Sequence, residues 1–358
     1  MITIVSTTQG PGHGAEVVLA ELLRAWSAER PALVVLAPPG SAAAGAASAT
    51  GLRWVPLQTS RDSLLANVAA GHTVTTRLRE CRLVHAWTAR GLELSWWMGR
   101  RLGVPATATL HDHPDTSAET WARRRLWRRS ANLQDGVVMP SAALQAAWRA
   151  AGLRRPSRVI PNGLRALTPA PRDPASRGVT IGFLGMYAPW KGFDVARAWA
   201  RAGWPGHVVW RFYGAVHEAL RGAAAALEAE LGTRVSFEGP QPRERVFGAV
   251  DVLVHCSTAF DPLPTVLIEA AQAGVPAVAS SLGGAAEIVE HGRTGFLFDP
   301  AAPDAGLAHL RGLVEDAALR SRLGTAARER YGRLFRIERM VEGYAGFWGE
   351  ATAGEVSA

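Results

Sequence analysis

The sequence predicts an α/β protein with two Rossmann-like, doubly wound domains that face each other across a cleft. The chain has 358 residues, a length that suits two domains better than one. Short apolar runs alternate with helical patterns in two successive blocks, which is typical of parallel sheets covered on both faces. A stretch rich in proline and small residues, 167–178, separates the two blocks and is the predicted linker.

The elements follow this alternation along the chain. In the first block, residues 1–166, the predicted strands are Ile2–Ser6, Val34–Ala37, Arg53–Leu57, Leu83–His85, Thr107–Leu110 and Gly136–Met139. The predicted helices there are Ala15–Trp26, Ser63–Ala70, Leu92–Leu102, Glu119–Ser130 and Ala142–Ala151. In the second block, residues 167–339, the predicted strands are Val179–Leu184, Val208–Tyr213, Val235–Glu238, Val252–His255 and Val275–Ala279.

A glycine-rich loop, Gln9–Glu16, joins the first predicted strand to the first helix. Glycines let a backbone approach a ligand closely, and a helix start favours an anion. The candidate ligand contacts are Gly12, His13 and Gly14. The loop does not match the Gly-x-Gly-x-x-Gly pattern of dinucleotide sites, so a simple tight turn stays an open alternative.

Two histidines lie at the ends of predicted strands, on the side where the cleft is expected. His85 ends one strand, and His111 follows the next one in the segment Thr109–Asp112. Ligands of parallel sheets bind beyond the carboxyl ends of the strands. A structural, hydrogen-bonded histidine is the alternative in both places, and for His85 the two interpretations are equally open.

The predicted helix Glu119–Ser130 is rich in arginine and contains Trp121 and Trp127. Residues 1–165 hold 20 of the 39 basic residues but only 10 of the 31 acidic ones. A basic, partly apolar helix suits an anionic membrane surface or an anionic acceptor. An ordinary surface helix whose tryptophans pack on the domain is the alternative. Nucleic acid is not expected, because no recognised binding module accompanies the charge.

Lys191 is the only lysine in the sequence and lies in the segment Gly185–Gly192. Every other basic side chain is an arginine, so this one position differs in kind. A compact ammonium group on a flexible stem suits a crowded phosphate site. Lys191 is therefore a candidate phosphate ligand, and a solvated surface lysine is the alternative.

The stretch Ala259–Pro300 combines two carboxylates, a predicted helix and a glycine pair. Asp261 precedes the helix and Glu269 lies inside it, on the order of 10 Å away at the rise of a helix. This separation is too long for an acid and a base acting on one bond, but it suits the two ends of a long polar ligand. The helix start has unpaired amides and a partial positive charge, which favour a phosphate or diphosphate.

This stretch resembles the C-terminal motif of the retaining glycosyltransferases of family 4, which have the GT-B fold. The matching positions are Asp261, Leu263–Val266, Glu269-Ala270, Gly274–Pro276, Gly283-Gly284, Glu287–Val289 and Gly295. The Ile160–Gly163 segment, the Gly185–Gly192 loop and the last helix also resemble the family. There are two departures: Asp261 stands where the family has Glu, and Met186 stands where the family has an Arg that helps to hold the diphosphate.

The resemblance implies a set of site residues. His111, Lys191 and Asp261 would be catalytic: His111 and Asp261 would contact the transferred sugar and Lys191 the diphosphate. The implied donor-binding residues are Gly12, His13, Gly14, Lys191, Leu263, Pro264, Thr265, Val266, Glu269, Gly283 and Gly284. The resemblance also implies an acceptor-side domain, 1–166, onto which the last helix, about 340–358, packs back, and a donor domain, 167–339.

The implied activity is metal-independent, retaining transfer of a hexose from a UDP- or GDP-sugar to a glycan, lipid-linked or small-molecule acceptor. No cofactor is expected beside the donor substrate, and no metal-ligand motif is present in the sequence. No apolar run could span a bilayer and no signal peptide is evident, so a cytoplasmic protein is expected; peripheral binding to the inner face of the membrane is left open. The alternatives are another GT-B enzyme, such as a sugar-nucleotide epimerase, or a catalytically weak nucleotide-sugar binding protein.

Overall fold

The protein divides into two compact units, each built on a parallel sheet. The first unit comprises Met1–Arg165 and Arg336–Ala358, and the second comprises Ala166–Phe335. The computed structural model describes residues 1–7, 14–57, 59, 64–78, 80–116, 119–171, 178–185 and 187–356. From the sequence, the two boundaries are expected at residues 166–167 and at about 340.

The sheet of the first unit is built from short, buried, apolar strands. They are β1 (Ile2–Val5), β2 (Leu33–Ala37), β3 (Arg53–Pro56), β4 (Leu83–Ala86), β5 (Ala106–Thr109), β6 (Gly136–Met139) and β7 (Ser157–Val159). Their order across the sheet is β3-β2-β1-β4-β5-β6-β7, and the neighbouring strands run parallel. Five of them, all but the edge strands β3 and β7, are buried along their whole length, as expected for a sheet covered on both faces.

Helices connect these strands. They are α1 (Gly14–Ala25), α2 (Ala42–Thr50), α3 (Leu64–Thr75), α4 (Leu92–Leu102), α5 (Trp121–Ala131) and α6 (Ala142–Ala150). The sequence analysis does not predict α2, because its small residues show no clear polar and apolar faces. Its ends nevertheless carry standard signals: the Ser41 hydroxyl accepts a hydrogen bond from the Ala44 amide, and Gly51 ends the helix in the left-handed conformation.

The second unit repeats the same plan with a smaller sheet. Its strands are β8 (Val179–Leu184), β9 (Val208–Tyr213), β10 (Val235–Gly239), β11 (Val252–His255), β12 (Ala277–Ser280) and β13 (Gly295–Phe298). They run parallel in the order β10-β9-β8-β11-β12-β13. Its helices are α7 (Phe193–Ala200), α8 (Arg221–Leu231), α9 (Arg243–Ala249), α10 (Thr265–Ala273), α11 (Ala285–Ile288), α12 (Pro303–Glu315) and α13 (Ala317–Leu334).

Strand β12 begins later than the sequence analysis expects. The Val275 amide donates to the Ala270 carbonyl at 2.9 Å, so Val275 closes the end of α10 instead of joining the sheet. Gly274 makes this end possible with a φ of 74°. The predicted strand Val275–Ala279 is therefore observed as Ala277–Ser280.

A last helix, α14 (Ile337–Ala353), belongs to the first unit. Its buried side chains Tyr344, Phe347 and Trp348 join the apolar core that also contains Ile4 and Trp26. The helix begins at Ile337, slightly before the expected position at about residue 340.

In each unit the connections change direction beside the first strand of the sheet. β1 lies between β2 and β4, and β8 lies between β9 and β11. In open α/β sheets, ligands bind outside the carboxyl ends of the strands at such a switch point. The loops that follow β1, β4, β8 and β11 are therefore where functional side chains are expected.

Candidate functional site

In the second unit, a turn that follows β8 packs directly on the end of β11. The Thr258 amide donates to the Trp190 carbonyl at 2.9 Å. Gly192 has a φ of 74°, and a Cβ at this position would overlap the Cys256 carbonyl oxygen. Only glycine permits this approach, so the turn and the Lys191 that it carries are fixed beside the end of β11.

Lys191 forms an ion pair with Asp261. Its Nζ lies 2.6 Å from Oδ2 of Asp261, and 26% of the lysine side chain and 10% of the aspartate side chain are exposed. The same Nζ lies 4.6 Å from the centre of the Trp190 ring, within cation–π range. The two residues that the sequence analysis predicted as catalytic in this unit therefore lie in direct contact.

His255, the last residue of β11, faces the same carboxylate. Its Nε2 lies 3.5 Å from Oδ2 of Asp261, and only 6% of the residue is exposed. Neither ring nitrogen has a hydrogen-bond partner within the described part of the chain. Burial alone would raise the pKa of Asp261, but His255 and Lys191 together outweigh burial and hold that pKa below its usual range.

The glycine pair Gly283-Gly284 lets the loop after β12 touch the loop that carries Asp261. The Gly284 amide donates to the Asp261 carbonyl at 2.8 Å. A Cβ at Gly283, where φ is 69°, would overlap that carbonyl oxygen, and a Cβ at Gly284 would overlap the Pro262 carbonyl oxygen. The glycine pair therefore holds the backbone of Asp261 in place. The Gly284 amide is already hydrogen-bonded to the Asp261 carbonyl.

Helix α10 begins directly after this loop, at Thr265, and Pro264 occupies its N-cap position without a side-chain cap. Leu263 is buried, whereas Thr265 and Val266 are half-buried at the helix start. The first amides of a helix have no partner within it, so this start can bind an anion.

Glu269 lies inside α10 and is 8% exposed. Its Oε1 is 3.6 Å from Nη1 of Arg243, the first residue of α9. Arg243 is not among the residues predicted from the sequence, because nothing near it distinguishes it from the many other arginines. Only the fold brings this guanidinium to the carboxylate that the resemblance assigns to the donor ribose.

In the first unit, Trp87 connects two of the predicted site segments. Its indole Nε1 donates to the Ala15 carbonyl at 2.7 Å, next to Gly14 at the start of α1. Its ring centre lies 5.3 Å from that of His111, which follows β5. Burial lowers the pKa of His111 to about 4, so the imidazole is neutral at neutral pH. Gly12 and His13, like Met186 of the second unit, lie outside the described residues.

His85 has a structural role. Its Nδ1 lies 2.8 Å from the Thr107 hydroxyl and its Nε2 2.9 Å from the Thr109 hydroxyl, so both ring nitrogens are paired. Thr109 in turn lies 2.9 Å from the Tyr344 hydroxyl of α14. The residue is fully buried, and burial is the main cause that lowers its pKa to about 3. Of the two interpretations open from the sequence, the structure supports the structural one.

Helix α5 presents one exposed and one buried tryptophan. Trp127 is 1% exposed, whereas Trp121 is 67% exposed and carries the Arg125 guanidinium over its ring at 5.5 Å. No helix in the described part of the chain is long and apolar enough to cross a membrane. The described residues also contain no cluster of three or more His, Cys, Asp or Glu side chains that could hold a metal ion.

Two family models match successive parts of the chain. The model described as Glycosyltransferase Family 4 matches residues 12–166, and the model described as Glycosyl transferases group 1 matches residues 173–330. The chain is a GT-B glycosyltransferase of the family 4 type. The first model covers most of the first unit and the second covers most of the second unit.

Individual relatives of this glycosyltransferase agree with that assignment. It is 31% identical over 111 residues to an N-acetyl-alpha-D-glucosaminyl L-malate synthase of Bacillus anthracis, covering 31% of this chain and 29% of the relative. It is 28% identical over 255 residues to a GDP-mannose-dependent alpha-mannosyltransferase of Mycobacterium tuberculosis, covering 63% and 64% of the two chains. The chain thus spans less than a third of the former relative and just under two thirds of the latter.

A solved structure matches the whole fold. HepE of Anabaena, solved in complex with UDP-glucose, superimposes on this glycosyltransferase with a TM-score of 0.84 and 23% sequence identity. The match covers 98% of this chain and 99% of the other. At this identity the likeness establishes the shared fold.

Proposed function

We propose that this glycosyltransferase transfers a sugar from a UDP- or GDP-sugar to an acceptor, with retention of configuration and without a metal ion. The observation that carries the proposal is the Lys191–Asp261 ion pair beside the start of α10, at the carboxyl ends of β8 and β11. HepE was solved with UDP-glucose, and the mycobacterial relative is GDP-mannose-dependent, which supports a nucleotide-sugar donor.

The chemistry requires positive charge at the leaving group. When the bond between sugar and phosphate breaks, negative charge builds up on the diphosphate, and fixed donors aimed at that charge lower the barrier. Lys191 would meet this charge together with the first amides of α10. In the free protein the lysine is half-buried and paired with Asp261, so it already lies beside the loop that leads into α10.

The two carboxylates would bind the opposite ends of the donor. Glu269 would accept hydrogen bonds from the ribose hydroxyls, and Asp261 would hold a hydroxyl of the transferred sugar. Asp261 is one methylene shorter than the glutamate usual in the family, and the glycine pair brings its backbone close to α11. The parts played by His111 and by Gly12–Gly14 stay predictions, since they lie in the other unit or outside the described residues.

The decisive experiment measures donor binding and turnover. Wild-type protein is titrated with UDP-glucose, GDP-mannose and ADP-glucose, and hydrolysis or transfer is followed. Lys191→Ala is expected to weaken binding by about 2–5 kcal/mol, because it removes a cation from a buried charged contact. Glu269→Ala is expected to weaken binding to a similar or smaller extent.

Arg234→Ala is the charge-matched control, because Arg234 is exposed and lies in the same unit away from these loops. It should bind donor like the wild type. If the wild type binds no nucleotide sugar, or if neither site substitution weakens binding more than the control, the assignment is wrong.

Product analysis separates the alternatives. A retaining transferase needs an acceptor and keeps the anomeric configuration, which NMR of the product reads directly. An epimerase would change the sugar nucleotide without an acceptor. A catalytically weak binding protein, suggested by Met186 and Asp261, would bind the donor but show no turnover with any acceptor extract.

We also propose that α5 binds an anionic membrane surface on the acceptor side. Its eleven residues contain five arginines and no acidic residue, and Trp121 is the most exposed large apolar side chain of the described residues. Arg128 is paired with Asp115, but Arg125 lies over the exposed ring and extends its cationic surface. Amphipathic aromatic and basic side chains together favour the interface of anionic bilayers.

Vesicle sedimentation tests this surface. Phosphatidylglycerol vesicles are expected to bind the protein, and phosphatidylcholine vesicles are not. Trp121→Ala should weaken binding several-fold, while Leu334→Ala, which removes an exposed apolar side chain of the second unit, should not. Equal binding by wild type and Trp121→Ala would contradict the proposal.

A further inference from the structure

We propose that His255 takes up a proton when a nucleotide sugar binds, and that its imidazolium then replaces Lys191 as the cationic partner of Asp261. His255 would thus be a positioning residue that keeps the Asp261 carboxylate oriented while Lys191 turns to the diphosphate. The inference rests on the proposed function, since it concerns the response of the same site to a donor.

The geometry places two nitrogen groups at one oxygen atom. Lys191 Nζ lies 2.6 Å from Oδ2 of Asp261, and His255 Nε2 lies 3.5 Å from the same Oδ2. The first distance is that of a strong ionic hydrogen bond, and the second is just beyond hydrogen-bonding range. A small movement of either side chain is therefore enough for the imidazole to bond to the oxygen that the lysine leaves.

Burial makes a replacement partner necessary. Asp261 is 8% exposed and His255 is 6% exposed. A buried carboxylate that loses the cation paired with it is strongly destabilised unless another partner replaces that cation. In the Gly185–Gly192 segment, methionine stands at position 186 and Lys191 is the single cation, so a diphosphate bound there draws on the charge that Asp261 uses in the free protein.

Apart from Asp261, the described residues around His255 offer little that could balance the positive charge of a protonated ring. In the sheet, His255 pairs with Ala279 of β12, and the preceding Val254 pairs with Phe183 of β8, so its neighbours at this end of the flanking strands are apolar. Burial raises the pKa of the adjacent Cys256 thiol, which therefore stays neutral. Among the described residues, the charged group recorded against the His255 ring is Asp261, with Lys191 beyond it. Among these residues, a protonated His255 ring would therefore face the Asp261 carboxylate.

The ring nitrogens of His255 are also able to form a new hydrogen bond to Asp261. Both of its ring nitrogens are buried without a hydrogen-bond partner within the described part of the chain. A buried imidazole with no partner loses the hydrogen bonds that it would make to water, which is a cost that folding retains only with a compensating gain. Pairing with Asp261 in the donor complex supplies that gain.

Calorimetry counts the proton directly. UDP-glucose and GDP-mannose are titrated into the full-length protein at neutral pH in buffers that differ in ionisation enthalpy. Both phosphates of a nucleotide sugar are esterified, so the ligand itself does not titrate near neutral pH. The wild type is expected to take up a substantial fraction of one proton, up to about one, for each donor bound. His255→Gln should bind more weakly and take up almost none.

The controls separate this role from a structural one. His207→Gln removes an exposed histidine of the same unit and should match the wild type in affinity and in proton uptake. Circular dichroism checks that His255→Gln is folded. If it is not, Asp261→Asn serves instead, because removing the carboxylate removes the reason for proton uptake. A merely structural role would lower affinity without changing the number of protons.

The outcomes are distinct. Donor binding by the wild type without proton uptake overturns the inference and leaves the proposed function intact. Uptake that persists in folded His255→Gln or in Asp261→Asn overturns it as well. If the wild type binds neither nucleotide sugar, the proposed function fails and the inference fails with it.

Discussion

His85 and His255 lie on corresponding strands, since β4 and β11 are each the neighbour of the first strand in their own sheet. Both are buried, yet their surroundings differ completely. The two ring nitrogens of His85 contact the hydroxyls of Thr107 and Thr109. The ring of His255 has no hydrogen-bond partner among the described residues and faces the Asp261 carboxylate.

The comparison shows that two buried histidines at corresponding places in their sheets can differ in hydrogen bonding: both ring nitrogens of His85 are paired, whereas His255, which we propose responds to the donor, faces a carboxylate. In the first unit, polar side chains join elements: the contacts of His85 continue through Thr109 to Tyr344 and so tie α14 to the sheet. In the second unit, Lys191, Asp261 and His255 meet at the ends of β8 and β11, where the ring nitrogens of His255 have no hydrogen-bond partner among the described residues. The predictions below test this contrast, from the largest expected effect to the smallest.

The largest effect is expected for His85→Leu. The substitution leaves two buried hydroxyls, those of Thr107 and Thr109, without their ring partner, at a cost of about 1–3 kcal/mol each. We expect the free energy of unfolding to fall by about 2–5 kcal/mol in urea denaturation. His255→Gln should cost much less stability, and equal losses for the two variants would contradict the contrast.

Gly283→Ala should disturb the second unit where Asp261 is held. The new Cβ would overlap the Asp261 carbonyl oxygen in a left-handed conformation, so we expect a loss of more than about 1 kcal/mol of stability and weaker donor binding. Gly222→Ala is the matched control, because it lies in α8 with no neighbour within 4 Å of its added Cβ. Thermal unfolding and titration with UDP-glucose measure both effects, and similar behaviour of the two variants would refute the role of the glycine pair.

The buried His85 of the first unit should make the stability of the fold sensitive to acid. The pKa of His85 falls from 6.5 to about 3 on folding, so the unfolded chain binds a proton that the folded chain does not. Its contribution to stability is therefore complete above about pH 6.5 and is lost as the pH falls towards 3, by up to about 1.4 kcal/mol per pH unit.

Urea unfolding at a series of pH values between 7 and 4 measures this slope. The slope should be smaller in His85→Leu, while His207→Gln, an exposed histidine, should keep it. An unchanged slope in His85→Leu would show that other groups cause the sensitivity to acid.

The smallest effect concerns two arginine–carboxylate pairs. Arg243 lies 3.6 Å from Glu269 in the second unit, and Arg165 lies 3.0 Å from Glu21 in the first. Arg243→Gln should weaken UDP-glucose binding by about 0.5–1 kcal/mol, since partly exposed pairs contribute little. Arg165→Gln should leave donor affinity unchanged and lower only stability. Calorimetric titration with UDP-glucose compares the two variants. An equal loss of affinity would contradict the assignment of Arg243, but not Arg165, to the donor site.

Much of the fold follows from patterns in the sequence, because buried parallel strands appear as short apolar runs separated by helical segments. Strands β6, β8, β9 and β11 have the predicted bounds. Two of the differences have local causes. Helix α2 consists of small residues without polar periodicity, and β12 starts late because Val275 completes the end of α10.

The sequence singles out a candidate site residue where that residue is unusual in type or motif, and it gives no signal where the residue is common. Lys191, the only lysine, and Asp261, in a motif with fixed spacing, were predicted, and the structure brings them into contact. His255 ends an apolar strand and Arg243 is one arginine among many, so neither carries a distinctive signal. Their positions beside Asp261 and Glu269 depend on which strand ends and helix starts meet in the fold, and this information is not local in the sequence.

The return of α14 to the first unit has a consequence for synthesis in the cell. The aromatic side chains Tyr344, Phe347 and Trp348 complete the core around Ile4 and Trp26, yet they are synthesised only after the whole of Ala166–Phe335. The first unit therefore cannot close its core until the entire second unit, Ala166–Phe335, has been synthesised. Folding during translation should thus finish in the reverse of the usual order, from the second unit to the first.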